Sequence, residues 1–200
     1  MTHETQRTDA AHWTDQGTPR IPPATRRELH PLMRPVVRIS GRAVGGKPPH
    51  IITTLARHPK LLMSWLVFGG RLMPRGRLHR AETELVILRV AWNNRCRYEW
   101  DHHVRIGKRA GLTDADIERI GEGPDAEGWS ESQRALLRAC DEFHADGRVG
   151  DDTWAQLADH FDQPNLIELT MLIGHYEMLA GVIATLGIRP EALETAARPG

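Results

Sequence analysis

Apolar residues recur at intervals of three and four along the chain from residue 50 onward, which is the spacing of one face of an α-helix. Helix-breaking residues close the first two stripes, at Pro59 and then at Gly69-Gly70 and Pro74. No alternating apolar and polar run flanked by hairpin turns occurs. The pattern predicts one all-α domain of about seven or eight helices. The later helices are expected over residues 79–92, 95–110, 113–120, 130–147, 151–161 and 165–186.

Two local signals sharpen these boundaries. Gly111 is a plausible C-terminal stop, and Thr113 followed by Asp116 is typical of a capped helix start. The last stretch, 165–186, is apolar on most sides, so we expect it to lie at the centre of the bundle.

Residues 1–47 lack this periodicity. The first 23 residues contain Pro19, Pro22 and Pro23 among polar groups, and further prolines with the Gly45-Gly46 pair interrupt residues 24–47. We therefore expect an extended or partly disordered arm over 1–47, with at most a short helix, followed by a helical domain over 48–200. The arm could wrap over a neighbouring subunit.

Composition excludes several classes of protein. The chain has two cysteines, which cannot make a disulfide framework, so a reducing cytoplasm is the expected location. No apolar run approaches the ~18 residues of a membrane span, and the N-terminus does not resemble a signal peptide. We expect neither secretion nor a membrane partner.

Charge is distributed unevenly although the net charge is zero. Residues 1–112 contain 20 basic and 8 acidic residues, whereas residues 113–200 contain 6 basic and 18 acidic residues. Either basic and acidic helices pack against each other, within or between subunits, or the basic part lines a cleft that attracts anions. The positive charge is scattered arginine without a binding motif, so no nucleic-acid partner is expected.

A compact set of reactive side chains lies around residues 96–103. Cys96, Glu99 and His103 are spaced i, i+3 and i+7, so a helix places them on one face. Glu84 precedes Cys96 by twelve residues on the helix before, and a turn at Asn93-Asn94 can bring it back toward the same point.

Each of these residue types suits proton or thiol chemistry. Cys96 in a first helical turn would have a lowered pKa, because unpaired N–H groups favour the thiolate. Glu99 and His103 would form an acid–base pair, and Glu84 could orient His103 or carry a proton itself. The alternatives are ordinary: a buried thiol used as a small apolar side chain, and a solvated Glu–His pair on the surface.

Five further residues are candidates for substrate binding. Two basic residues flank the set and could attract an anion, an indole and an imidazole follow on the same helix, and one histidine lies in the apolar last helix beside Tyr176. They are Arg95, Arg97, Trp100, His102 and His175. Packing is the alternative role for Trp100, and a hydrogen-bonded core pair is the alternative for His175.

Metal and cofactor motifs are incomplete. Glu99-x-x-His102 has the spacing of half a di-iron carboxylate site, but the only partner, Asp141-x-x-His144, has Asp in place of Glu. No His-Glu-x-x-His, paired Cys-x-x-Cys or glycine-rich phosphate loop occurs. We predict no metal and no cofactor.

Residues 82–120, ETELVILRVAWNNRCRYEWDHHVRIGKRAGLTDADIERI, resemble the carboxymuconolactone decarboxylase-like family, which includes the alkyl hydroperoxidase D-like proteins. The resemblance extends more loosely to HPKLLMSWLVFGGRL before this segment and to GHYEMLAGVIATLGI in the last helix. It implies an all-helical subunit, a bundle around a central antiparallel helix hairpin, that assembles into a trimer, hexamer or dimer. It also implies an active site at the hairpin, often near a subunit interface.

Two chemistries are known in this family. The peroxidase branch uses Cys-x-x-Cys followed by His, with an upstream Glu in a proton relay. That pattern would place a thiol at Cys96 and the relay at Glu84 and His103, but position 99 is Glu. The decarboxylase branch has Glu-x-x-x-His, which Glu99 and His103 reproduce, and acts on a carboxylated lactone without a cofactor.

The absence of a second thiol at position 99 favours the decarboxylase-like chemistry over the peroxidase chemistry. A sulfenic acid formed on Cys96 needs a resolving thiol, and Cys140 lies in an apolar stripe. We therefore expect a decarboxylase-like lyase performing acid–base chemistry on a small anionic substrate: decarboxylation, isomerisation or lactone opening. One alternative is a peroxidase or other oxidoreductase with peroxiredoxin-type activity that uses Cys96. The other is a non-catalytic oligomeric family member.

Overall fold

The computed structural model describes residues 12–14, 17–43, 46–73 and 75–191 of the chain. These residues form nine α-helices and no β-strand, which confirms the all-α prediction. The helices are α1 (Met33–Ala43), α2 (His50–Leu55), α3 (Pro59–Leu72), α4 (Arg80–Asn93), α5 (Arg97–Ala110), α6 (Asp114–Glu122), α7 (Glu131–Asp146), α8 (Asp151–Ala158) and α9 (Gln163–Leu186).

The helix count within the described residues exceeds the prediction because α1 forms inside the segment expected to be an arm. Pro35 lies in the first turn of α1, where its missing N–H costs no helical hydrogen bond. Met33 and Val37 are buried four residues apart, and α1 contacts α2. Parts of the predicted arm (1–11, 15–16 and 44–45), the predicted stop at Pro74 and residues 192–200 of the predicted domain lie outside the described residues.

Helix α4 is the centre of the bundle. It contacts α5, α6, α7 and α9, and its essentially inaccessible side chains include five large apolar ones: Leu85, Val86, Ile87, Leu88 and Val90. Because both faces of α4 are covered, its sequence is apolar for five of six consecutive positions rather than striped.

The turn between α4 and α5 reverses the chain within three residues. Arg95 adopts a left-handed backbone conformation (φ 52°), and the Cys96 N–H donates to the Ala91 carbonyl at 2.9 Å. Cys96 becomes the N-cap residue, and α5 begins at Arg97. The two helices therefore form an antiparallel hairpin with the residues of interest near one another.

A partly buried ion pair connects α4 to α7, and its arginine also contacts α6. The Arg89 guanidinium donates to both Asp141 carboxylate oxygens, at 2.6 and 2.8 Å, and to the Ile120 carbonyl at 2.6 Å. Asn93 donates to the same carboxylate at 2.8 Å. Asp141, the acid of the incomplete second metal motif, thus has a structural role between the helices.

Helix α9 runs through the core and contacts α3, α4, α7 and α8. By length and composition alone, α9 could cross a membrane. In the structure, 44% of its most apolar 18-residue window is buried inside the protein. The core helix of a bundle meets the same criterion, and the packing of α9 agrees with its predicted central place.

Large apolar side chains remain exposed on α3 and α9. They are Leu61, Met63, Val67 and Phe68 on α3, and Ile167, Met171 and Met178 on α9. Contiguous exposed apolar surface is typical of a binding face. The expected assembly of several subunits stays a prediction.

Candidate active site

The hairpin places a carboxylate of α4 against an imidazole of α5. Glu84 Oε2 lies 2.7 Å from Nδ1 of His103, and the Arg80 guanidinium forms an ion pair with Glu84 Oε1 at 2.5 Å. Glu84 is 0% exposed and His103 is 7% exposed. Glu84 Oε1 receives no hydrogen bond of good geometry, so its contact with Arg80 is electrostatic. The buried carboxylate therefore lies between a cation and the ring that it orients.

A thiol and a carboxyl group lie together at the start of α5. Cys96 is 2% exposed at the N-cap position, and Glu99 is 3% exposed in the first turn. Burial raises the pKa of Glu99 to about 8; the adjacent Cys96 thiol opposes this rise and the Glu177 carboxylate adds to it. Neither Glu99 oxygen has a hydrogen-bond partner of good geometry among the described residues. Glu99 is therefore mostly protonated at neutral pH.

The expectation of a low Cys96 pKa is wrong. Burial, followed by repulsion from the Glu99 carboxylate, raises the pKa of Cys96 well above its usual value. The N-terminal position on α5 does lower it slightly through backbone N–H groups, but this effect is smaller than desolvation in an apolar environment.

The expected acid–base pairing also differs. Spacing predicts that Glu99 partners His103, but the imidazole is hydrogen-bonded across the hairpin to Glu84. Glu99 instead faces Cys96. An i, i+4 spacing places two side chains on one face of a helix, whereas the neighbouring helix decides which partner each one meets.

Sequence reasoning did not assign Tyr176 or Arg80 to the site. The Tyr176 ring lies edge-on to the His103 ring at 5.2 Å between centroids, and its hydroxyl donates to Met73 Sδ at 3.5 Å. Burial raises the pKa of Tyr176, and the nearby Glu99 and Glu84 carboxylates raise it further. The i, i+4 relation of Arg80 to Glu84 is visible in the sequence and could have identified the arginine.

The structure does not bring the two flanking arginines to the cluster formed by Glu84, Cys96, Glu99 and His103. Arg95 is exposed in the hairpin turn. Arg97 is exposed, forms an ion pair with Asp101 at 2.6 Å and lies over the Trp13 ring at 5.8 Å. Both side chains leave the hairpin on the solvent side, so the anchor role expected for them has no support from the contacts.

Trp100 and His102 likewise have partners elsewhere. Trp100 packs against Trp13 and Trp92 at 5.4 and 5.3 Å between ring centroids. His102 is hydrogen-bonded through Nε2 to Glu191 at 3.0 Å and packs on Tyr98. Both side chains therefore have structural contacts away from the cluster; for Trp100, packing was the alternative role given in the sequence analysis.

His175 occupies a position between the cluster and the surface. Its ring lies 5.3 Å from Tyr176, 5.2 Å from Phe68 and 6.1 Å from Trp65, measured between centroids. Its Nδ1 is buried without a hydrogen-bond partner among the described residues. Burial lowers the pKa of His175, so the ring is neutral at pH 7.

The second thiol does not share in the cluster's hydrogen bonds. Cys140 is fully buried on α7 and donates weakly to the Val86 carbonyl at 3.9 Å. Within the part of the chain that the structure describes, no group of three or more His, Cys, Asp or Glu side chains could hold a metal ion. The cluster therefore contains a protonated carboxyl, a thiol and an imidazole held by a carboxylate, which suits proton transfer.

Comparison with known proteins connects this hairpin to a family. Residues 59–142 match the model of the Carboxymuconolactone decarboxylase family, which confirms the resemblance inferred from the sequence. The matched segment contains Glu84, Cys96, Glu99 and His103. No curated protein matches the chain significantly.

Solved structures share the fold at low sequence identity. A peroxidase-related protein from Ralstonia eutropha with an alkylhydroperoxidase AhpD core is 20% identical, with a TM-score of 0.75 over 86% of this chain and 92% of that one. A peroxidase-related protein from a Silicibacter species is 17% identical, with a TM-score of 0.76 over 88% and 95%. The debrominase Bmp8, also solved with 2,3,4-tribromopyrrole, is 18% identical, with a TM-score of 0.71 over 88% and 94%. The fold is AhpD-like.

Proposed function

We propose that this protein is a lyase-like enzyme that performs cofactor-free acid–base chemistry on a small anionic substrate, by decarboxylation, isomerisation or lactone opening. The observation that carries the proposal is the contrast between two buried carboxyl groups. Glu84 is paired with His103 and Arg80, whereas Glu99 has its pKa raised to about 8 by burial. Because their environments differ, Glu84 serves to orient the imidazole and Glu99 holds a proton that it can give to a substrate.

In this scheme His103 is the base and Glu99 is the acid. The bond from Nδ1 to Glu84 assigns the proton to Nδ1, so Nε2 has the lone pair that accepts a proton from the substrate. In an isomerisation, Nε2 takes a proton from carbon next to a carbonyl, and the C–H electron pair moves into the carbonyl to form an enolate. Glu99 then gives its proton to the far carbon of the conjugated system, and proton return restores both residues.

Arg80 is the proposed anchor for the substrate carboxylate. Its side chain is 31% exposed, so it reaches from the surface to the buried Glu84. One nitrogen contacts Glu84, and the remaining N–H groups of the planar guanidinium suit a second carboxylate. Glu84, Glu99 and His103 are buried, so substrate entry requires movement of the side chains that cover them.

The pH profile of turnover tests the role of Glu99. Because the acid form of Glu99 is active and its pKa is about 8, turnover of carboxymuconolactone should fall as pH rises through 8. Glu99→Gln should lower kcat by about 10²-fold and remove that fall. The matched control is Glu118→Gln, an exposed carboxyl of α6, which should keep the wild-type profile. An unchanged profile in Glu99→Gln would contradict the assignment.

A thiol-dependent oxidoreductase is the second candidate, because Cys96 lies against Glu99. Above the pKa of Glu99, its carboxylate could accept the thiol proton. The thiolate would then attack a peroxide, break its O–O bond with release of water or an alcohol, and become a sulfenic acid that an external thiol would reduce. Structural neighbours described as peroxidase-related and as a debrominase support this candidate. The raised pKa of Cys96 places it second, because a thiol is a weak nucleophile.

Alkylation by iodoacetamide separates the two candidates. The rate at Cys96, followed by peptide mapping, should rise only above the usual thiol pKa of ~8.5, and Glu99→Gln should move that rise to lower pH by removing the repulsion. Cys140, buried in the same sample, is the internal control for accessibility. Rapid reaction of Cys96 at pH 6 to 7 would favour the peroxidase. Absence of both activities would favour a non-catalytic family member.

A further inference from the structure

A groove separate from the hairpin lies between the N-terminal segment, α1 and α2. Its volume is about 620 Å³, within the size range of small-ligand sites. The buried side chains Ala24, Leu29 and Val37 form apolar walls. Glu84 and His103 do not line this groove, so it is independent of the proposed active site.

Three arginines border the same groove. Arg26, Arg34 and Arg38 line it and are exposed, and none of them forms an ion pair with a described carboxylate. Arg34 and Arg38 are four residues apart on α1, where like charges destabilise a helix. This arrangement leaves positive charge at the mouth of an apolar cavity.

The surrounding chain does not supply the missing negative charge. Residues 17–43 contain six arginines and one acidic residue, Glu28. Glu28 is already engaged by Arg57 at 3.2 Å and by the Thr25 backbone N–H at 2.8 Å. No carboxylate is among the described residues that line the groove, so an anion that binds there would meet the positive field of the three arginines.

We propose that this groove binds a free single-chain amphipathic carboxylate, such as a medium-chain fatty acid. The alkyl tail lies against Leu29 and Val37, and the carboxylate is held at the rim by Arg34 and Arg38. Apolar walls select the tail, and guanidinium groups form paired N–H···O bonds with a carboxylate. A membrane surface is the less favoured occupant, because a concave cavity fits one inserted chain better than a planar bilayer face.

Isothermal titration calorimetry with decanoate, below its micelle concentration, tests the proposal on the full chain. Decanoate should bind, whereas acetate, which lacks the tail, and decanol, which lacks the charge, should each bind at least about tenfold more weakly. The double variant Arg34→Gln/Arg38→Gln should weaken decanoate binding by about tenfold or more. Arg42→Gln, an exposed arginine on the same helix that does not line the groove, is the matched control.

Two control measurements complete the experiment. His103→Gln should bind decanoate like the wild type, so the groove can be tested whether or not the proposed enzyme activity is found. Circular dichroism should show that the double variant folds. Absence of decanoate binding, equal binding of decanol, or an unchanged double variant would overturn the proposal. Binding of phosphatidylglycerol vesicles without binding of decanoate would overturn it in favour of a membrane-facing surface.

Discussion

Replacing His103 with Gln is expected to lower turnover of carboxymuconolactone in the proposed acid–base reaction by about 10²- to 10⁴-fold, the range associated with loss of a general base. The glutamine amide can still donate a hydrogen bond to Glu84, which lies 2.7 Å from His103 Nδ1, but it cannot accept a proton from the substrate. The fold should be retained, because the pair that holds the hairpin keeps its contact. Steady-state kinetics with thermal unfolding followed by circular dichroism measure both quantities.

The neighbouring histidine supplies the control for this experiment. His102→Gln changes the same residue type one position earlier on α5, where the ring contacts Glu191 and Tyr98 instead of the cluster. Its turnover should stay within a few-fold of the wild type, as expected for a residue outside the reacting groups. A large loss in His102→Gln together with a small loss in His103→Gln would mean that the base has been assigned to the wrong ring.

Replacing Glu84 with Ala is expected to give the largest loss of stability, about 3–5 kcal/mol in the free energy of unfolding. Glu84 is 0% exposed and contacts both Arg80 and His103. Its removal leaves a buried imidazole without its acceptor and a partly exposed arginine without its counter-charge. Turnover should also be lost, since the orientation of His103 is lost. Urea denaturation measures the stability change.

Glu82→Ala is the comparison for Glu84→Ala. It removes a carboxylate two residues earlier on the same helix, where the side chain only completes the capping box with His79. Loss of a cap costs about 1 kcal/mol, so Glu84→Ala should be several times more destabilising. Equal losses in the two variants would show that the buried contacts of Glu84 contribute little to stability.

Much of the fold was predictable because its signals are local. Helical spacing identified the all-α class, and capping chemistry located boundaries: Thr113 and Asp116 form the predicted capping box, and Gly111 ends α5 in the left-handed conformation. The helix α1 was harder to predict, because its apolar residues are few and Pro35 resembles a break. Its stability comes from docking against the domain, which short-range patterns do not show.

The contacts of the charged flanking residues were not predictable in the same way. Arg95 and Arg97 lie beside Cys96 in the chain, yet helical rotation and the tight turn direct both side chains to solvent. Arg80, sixteen residues before Cys96, is the cation that reaches the cluster. Proximity in sequence therefore misidentified the cation nearest to the buried acid.

The sequence by itself determined helices α2 to α9 to within a few residues, and which residue types share a face, because each depends on interactions within a few residues; helix α1 was not among them. Only the tertiary structure decided that His103 meets Glu84, that Tyr176 joins them from α9, and that Cys96 and Glu99 have raised rather than lowered or ordinary pKa values. These properties depend on the groups that neighbouring helices bring near and on the water that packing removes. The spacing of residues along one helix determines neither which groups lie nearby nor how much water is removed.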